Sequence, residues 1–296
     1  MASRLKYIAV LGVAGFAIFW LLTQPKTISS DALTGLDPDL DQGKLVYTAA
    51  GCASCHSAKD TTGEVRDILT GGQAFVTQFG TFIAPNISPD PEFGIGSWDT
   101  ETFINAVMYG TSPKGQHYFP AFPYATYGNM TLQDAVSLRG YMNTLAPSAQ
   151  LNPPHDLSFP FSIRQLVGGW KFLFGNAGWV VLGDLDAQEI RGRYLVEALG
   201  HCAECHTPRN MLGGLTKSRW LSGAPNPSGK GKTPNITPAA LTWDEEDIVE
   251  YLTSGFTPEY DSAGGTMVEV IENTSALPKS DRVAIARYLK RVAAMK

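Results

Sequence analysis

The sequence predicts an all-α fold in which two tandem domains are joined by a linker. A pentapeptide of the pattern Cys-x-x-Cys-His occurs twice, at residues 52–56 and 202–206, and similar stretches follow both copies. The 30 glycines and 19 prolines indicate long irregular loops between the helices. No segment alternates apolar and polar residues for long enough to predict a strand.

The first element in the chain is an apolar helix at the N-terminus. Arg4 and Lys6 precede an uncharged apolar run at residues 7–22, which is typical of a bacterial export signal whose start stays in the cytoplasm. The run is near the lower limit for a transmembrane helix, which needs roughly 17–25 residues. No small-residue cleavage site follows it, so we interpret residues 1–27 as an uncleaved anchor in the bacterial inner membrane. A cleaved signal is the alternative, and either interpretation places the remaining chain in the periplasm.

The predicted organisation of the rest follows from composition and repetition. A tether (28–40) leads into a first domain (41–147), a linker (148–187) and a second domain (188–296). The formal net charge is −5, and no basic stripe is present, which disfavours nucleic-acid binding.

The repeated pentapeptide is the attachment signature of c-type haem. Each thiol adds across one vinyl group of the porphyrin, and the histidine becomes the proximal iron ligand. The residues concerned are Cys52, Cys55 and His56 in the first copy, and Cys202, Cys205 and His206 in the second. A zinc site would leave the histidines unexplained, a redox Cys-x-x-Cys needs a βαβ setting, and disulfides do not require this spacing. We therefore predict two covalently bound haem c groups.

Both halves share a further order of motifs. A Pro-Asn-Ile-Ser/Thr-Pro segment and a Trp-Asp pair follow each attachment motif, and each half ends in an amphipathic segment. These motifs lie at 85–89, 98–99 and 132–145, and at 234–238, 243–244 and 281–292. The pattern predicts helix, haem loop, long loop, helix, ligand loop and helix in each half. We also predict a capping box of Thr242 and Glu245 in the second half.

The first and last helices of each half are predicted to cross at close range. A glycine on the first helix, Gly43 or Gly192, would face an aromatic residue on the last, Tyr141 or Tyr288. This arrangement resembles the terminal-helix contact of class I cytochrome c. The resemblance implies a fold of two such domains with loop-rich haem crevices, preceded by a transmembrane helix.

The linker contains an apolar stretch at residues 166–182, which raises the question of a second membrane span. Lys171 interrupts it, and a span would place the second haem domain on the cytoplasmic side. We therefore interpret the linker as packed between the domains, with its aromatic residues as a candidate docking patch.

Each haem iron needs a second axial ligand, and methionines are the leading candidates. Met130 and Met267 lie in loops ahead of the closing helices, whereas the other methionines are terminal, too close to a motif or inside helices. His117, His155 and His201 are the competing ligands. His155 lies in the linker and His201 abuts the attachment motif, so His117 stays open as the rival for the first haem. Pro85, Pro234 or Pro208 are candidate carbonyl acceptors for the proximal imidazole proton.

Longer stretches carry a resemblance to a known family. Residues 80–90 and 118–130 resemble the first haem domain of the proteobacterial membrane-associated multihaem cytochromes c, and residues 191–195, 200–210 and 265–270 resemble its second. Those proteins are electron-accepting subunits of alcohol, aldehyde and sugar-acid dehydrogenases. The resemblance implies that Met130 and Met267 are the axial methionines. The better-known members differ in carrying a third haem domain and attaching through their C-terminal end.

The predicted function is therefore a dihaem electron carrier that is not itself an enzyme. A periplasmic or membrane-bound dehydrogenase would be its electron donor, and a soluble cytochrome c, a copper protein or a terminal oxidase its acceptor. The alternative is a dihaem enzyme of the peroxidase kind, which needs one iron with an open position. A thiosulfate-oxidising enzyme would need a fifth cysteine, and the chain has four.

Overall fold

A computed structural model describes residues 2–175, 178–226 and 231–295. Within them the chain is mainly helical, with a few short strands. The helices are α1 (Ala2–Leu22), α2 (Leu40–Ala49), α3 (Cys52–His56), α4 (Thr100–Tyr109), α5 (Tyr124–Tyr127), α6 (Leu132–Met142), α7 (Arg164–Phe174), α8 (Ala187–Tyr194), α9 (Ala203–His206), α10 (Glu245–Ser254), α11 (Met267–Ser275) and α12 (Lys279–Arg291). The strands are β1 (Ala74–Thr77), β2 (Gly80–Ile83), β3 (Asp156–Leu157), β4 (Ala224–Pro225) and β5 (Lys232–Thr233).

The helices follow the predicted repeat. α2 to α6 in the first half correspond in order to α8 to α12 in the second. The long loop of each half contains a small antiparallel pair, β1 with β2 and β4 with β5. The sequence did not predict these strands, because two to four residues are too few to display an alternating pattern.

Close crossing of the terminal helices is confirmed in both halves. A Cβ on Gly43 of α2 would lie 2.1 Å from the carbonyl oxygen of Ser137 and 2.8 Å from the Cβ of Tyr141. A Cβ on Gly192 of α8 would lie 1.9 Å from the carbonyl oxygen of Ala284 and 2.7 Å from the Cβ of Tyr288. Glycine is therefore needed at both crossings, because any side chain would collide with backbone.

Asp244, and not Thr242, caps the N-terminus of α10, the helix after the second long loop. The Asp244 carboxylate accepts a hydrogen bond from the backbone N–H of Asp247, and the Asp247 carboxylate accepts one from Asp244 in return. The capping box predicted for Thr242 and Glu245 was wrong by two residues, since any short polar side chain can fill the first position.

The predicted transmembrane helix is corrected by the structure. Residues 2–22 are helical, but no helix among residues 2–175, 178–226 and 231–295 combines the length and the apolar character that crossing a membrane requires. Arg4 and Lys6 lie within α1. The uncharged part that remains falls short of the roughly 17–25 residues of a span.

The chain after α1 and the linker pack together against the first half. His117 donates through Nε2 to the carbonyl of Thr23 at 2.9 Å, and a Cβ on Gly168 of α7 would meet both residues. The Lys171 ammonium group of α7 donates to the carbonyls of Tyr109 and Gly110, both at 2.7 Å. The linker is thus a packed element, and its β3 extends the β1–β2 pair.

Candidate haem-binding sites

Each attachment motif forms a short helix, and the residue before the motif has a left-handed backbone conformation. Gly51, with φ of 63°, precedes Cys52, and His201, with φ of 41°, precedes Cys202. All four cysteines are free thiols. Burial raises the pKa of both Cys52 and Cys202 to about 12, so these thiols are protonated at neutral pH.

The two proximal histidines are held in the same way. The Nδ1 atom of His56 lies 2.8 Å from the carbonyl oxygen of Pro85, and Nδ1 of His206 lies 2.8 Å from that of Pro234. A carbonyl only accepts, so Nδ1 carries the proton and the Nε2 lone pair is free to bind a metal. Burial lowers the pKa of both imidazoles, and the bond to the proline carbonyl opposes that shift.

These two hydrogen bonds confirm the predicted role of Pro85 and Pro234 as acceptors for the imidazole protons. Pro208, the third candidate, does not make this contact: its carbonyl accepts instead from the backbone N–H of Thr216. The acceptor fixes both the tautomer and the orientation of each ring, as carbonyl partners do for ligating histidines.

The candidate axial methionines occupy different positions in the two halves. Met130 lies between α5 and α6 with 4% of its surface exposed. Met267 is the first residue of α11, so it begins a helix where a loop was expected. Both pack with the main hydrophobic core, which also contains Cys52 and Cys202.

The rival histidines already have other partners. His117 is bonded through Nε2 to Thr23, and its Nδ1 is buried without a partner. His155 accepts through Nδ1 from the backbone of Ile83 at 3.1 Å. His201 faces the carbonyl oxygen of Ala50 at 3.3 Å.

Other polar residues in the second half were not found from the sequence. Glu197 is buried, and its carboxylate accepts from the backbone N–H groups of Val180 at 2.5 Å and Val181 at 3.1 Å, and from the hydroxyl of Tyr288 at 2.5 Å. Trp220 donates to that same hydroxyl at 3.1 Å. Glu197 lies in the π-helical segment Leu195–Leu199 that continues α8. Helical spacing in the sequence does not reveal such a segment.

The donor set fits a covalently bound haem and does not fit a structural metal site. Each half combines two free thiols, an oriented imidazole with a free nitrogen and a methionine packed in the same core. In the part of the chain that the structure describes, no group of three or more His, Cys, Asp or Glu side chains is placed to bind a metal ion. Zinc sites require such a group.

Comparisons with known proteins agree with this chemistry. The cytochrome c family matches residues 40–146. The "Diheme cytochrome c-type" protein of Cereibacter sphaeroides is 54% identical over 97% of both chains. The fructose dehydrogenase cytochrome subunit of Gluconobacter japonicus is 36% identical over 96% of this chain, and the cytochrome c subunit of the quinone alcohol dehydrogenase of Gluconacetobacter polyoxogenes is 32% identical over 98%.

The fold and the donor set define a cytochrome c with covalently attached haem, a class of protein that transfers electrons. More specifically, the chain belongs to the diheme cytochrome c family. The two dehydrogenase subunits are longer, and this chain spans 58% and 62% of their lengths.

Proposed function

We propose that the chain binds two haem c groups and passes single electrons from a dehydrogenase to a respiratory acceptor. The observation that carries this is the imidazole–proline contact, which occurs at 2.8 Å in both halves. Finding the same ligand orientation twice supports two sites of one kind. The relatives, being cytochrome subunits of dehydrogenases, favour electron transfer over a peroxidase.

Each half supplies the residues for one haem. Cys52 and Cys55 would hold the first porphyrin, with His56 and Met130 as axial ligands. In the second half the corresponding residues are Cys202, Cys205, His206 and Met267. When bound, haem supplies an iron that changes oxidation state by one electron, and a His/Met ligand pair raises its reduction potential. Met130 is buried, so as a ligand it would lie away from solvent.

The electron donor in this proposal is a periplasmic or membrane-bound dehydrogenase. Its support is that three relatives are named as cytochrome subunits of fructose, gluconate and alcohol dehydrogenases. The acceptor is a soluble cytochrome c, a copper protein or a terminal oxidase. We place the haem sites in the periplasm, because bacteria attach haem covalently on the outer side of the inner membrane.

Association with the membrane surface belongs to the same proposal. The apolar side chains of α1 are largely exposed, for example Leu11 at 70%, Val13 at 71% and Leu21 at 72%. A row of exposed apolar residues on one helix is stable next to lipid or a partner. Flotation with anionic vesicles would test this: removing residues 2–22 should leave the protein in the unbound fraction.

Haem content and ligand variants test the central proposal. We expect two haems that stay with the chain in acidified organic solvent, and two reversible one-electron steps in a redox titration. Met130→Ala and Met267→Ala should each abolish the methionine-to-iron charge-transfer band of one haem and lower its potential. An unchanged band in either variant would overturn that ligand assignment.

A cyanide titration separates the carrier from the peroxidase alternative. Two saturated irons bind cyanide slowly and show low-spin spectra, since a ligand must first leave. Immediate cyanide binding by one haem of the unmodified protein would favour an enzyme.

A further inference from the structure

The segment that carries the candidate ligand Met130 contacts the attachment loop of the second half. The Thr126 hydroxyl of α5 donates to the Glu204 carboxylate at 3.1 Å, and Glu204 is one of the two residues between Cys202 and Cys205. Asn129 donates to the backbone carbonyl of Glu197 at 3.0 Å. The distal side of the first site is thus attached directly to the proximal loop of the second.

The reverse contact is also present. Asn273 of α11, the helix that begins at Met267, donates to the hydroxyl of Ser54 at 2.9 Å, and Ser54 lies between Cys52 and Cys55. The Arg66 guanidinium group donates to the Asn273 side-chain oxygen and to Ser54, both at 3.1 Å. Arg66 also pairs with Glu272 of α11 at 3.5 Å. The distal segment of each half therefore binds the proximal loop of the other.

The residues that lead into the two attachment motifs, Ala50 and His201, meet between these contacts. The carbonyl of Ala50 accepts from the hydroxyl of Tyr127 at 2.9 Å and lies 3.3 Å from Nε2 of His201. The rings of Tyr127 and His201 are 5.9 Å apart at 83°, an edge-on contact. His201 has a left-handed backbone conformation, which costs free energy for any residue other than glycine. Contacts from the first half hold it there.

Cys55 and Cys205 would each carry one thioether bond to a haem. Each lies in a motif that the other half contacts, at Ser54 and at Glu204.

We propose that Thr126, Glu204, Arg66 and Asn273 are positioning residues, which hold the two haem sites at a fixed separation across this reciprocal interface. The inference rests on the proposed function, since it needs a haem in each half. With haem bound in both halves, one electron crossing the interface would oxidise one iron and reduce the other. No bond forms or breaks, and no proton is required.

The test compares a double variant, Thr126→Val with Asn273→Leu, with a matched control. Both substitutions remove a polar bond between the halves without adding charge. Thr144→Val with Ser275→Ala is the control, because these hydroxyls bond only to backbone carbonyls of their own half, Tyr141 and Glu272. Inter-haem exchange would be measured by flash photoreduction of the partly oxidised full-length protein, together with redox titration and the methionine-to-iron bands.

We expect the double variant to keep two haems and both methionine-to-iron bands but to exchange electrons severalfold more slowly, whereas the control matches the unmodified protein. A purely structural role would lower stability and leave the exchange rate unchanged. That result, with both bands intact, would overturn the inference. If the unmodified protein itself lacked one of the two haems or one of the two bands, the proposed function would be wrong. The two failures are therefore distinguishable. Thr126→Ser combined with Asn273→Leu retains the hydroxyl that bonds Glu204, and it should exchange electrons faster than Thr126→Val combined with Asn273→Leu.

Discussion

A single buried carboxylate, that of Glu197, organises the polar hydrogen bonds inside the second half. Its carboxylate accepts three hydrogen bonds, from the linker at Val180 and Val181 and from Tyr288 of the closing helix. A buried carboxylate is tolerated when several donors compensate for its desolvation. Glu197 therefore connects the linker to the helix crossing at its centre.

The variant Glu197→Gln should reduce the free energy of unfolding by about 1–3 kcal/mol, the cost of leaving a buried donor unpaired. The new amide NH2 would face N–H groups that need an acceptor. Urea unfolding measures the loss, and Glu250→Gln, which changes an exposed carboxylate of α10, serves as the control. Equal losses in the two variants would contradict this account of Glu197.

Lys171 makes stability depend on pH. Burial lowers its pKa to about 7 from an ordinary value of 10.5, and the neighbouring Lys26 acts in the same direction. Between these two values the unfolded chain binds more protons than the folded one, so stability should rise with pH across that window. Urea unfolding over the same window should show a shallower slope for Lys171→Met than for the unmodified protein. Lys44→Met, at an exposed lysine, should retain the full slope.

What the sequence predicted at this scale was local. The imidazole–proline contacts depend on short spacings along one half of the chain, and the structure contains both of them. The partners of Ser54 and Glu204 could not be predicted in the same way. The Asn273–Ser54 bond joins residues 219 positions apart, and it forms only when the two halves fold against each other.

At the scale of elements, the terminal helices determine each half. Glycine facing aromatic side chains was readable from the sequence because both halves repeat it. The β1–β2 pair was not readable, since its four-residue strands form only by pairing. The helix α1 was readable from the sequence, but its uncharged apolar run at 7–22 is too short to cross a membrane.

The crossing of α8 and α12 should not tolerate any side chain at Gly192. In Gly192→Ala the new Cβ would meet the Ala284 carbonyl, so the helices must separate, at a cost of about 1–3 kcal/mol or more. Thermal unfolding of the haem-loaded protein measures this. The control is Gly264→Ala, where a Cβ has nothing within 4 Å. A melting temperature for Gly192→Ala equal to that of the control would show that the crossing adapts.

At the scale of the whole molecule, the two halves share one hydrophobic core. Leu195, Val196 and Leu199 of the second half belong to the same buried cluster as Val46, Tyr47 and Ala50 of the first. Polar contacts in both directions surround this cluster. The repeat therefore accounts for the order of helices in each half, and the contacts between the halves stabilise the whole molecule.

This shared core predicts a single cooperative unfolding transition for the haem-loaded protein. Haem absorbance and far-ultraviolet circular dichroism should give coincident urea curves, because neither half can open without exposing the core of the other. The double variant Thr126→Val with Asn273→Leu weakens only the contacts between the halves, so its two curves should separate or broaden. Two well-separated transitions in the unmodified protein would mean that the halves are independent units. A fixed distance between the haems could then not come from the interface.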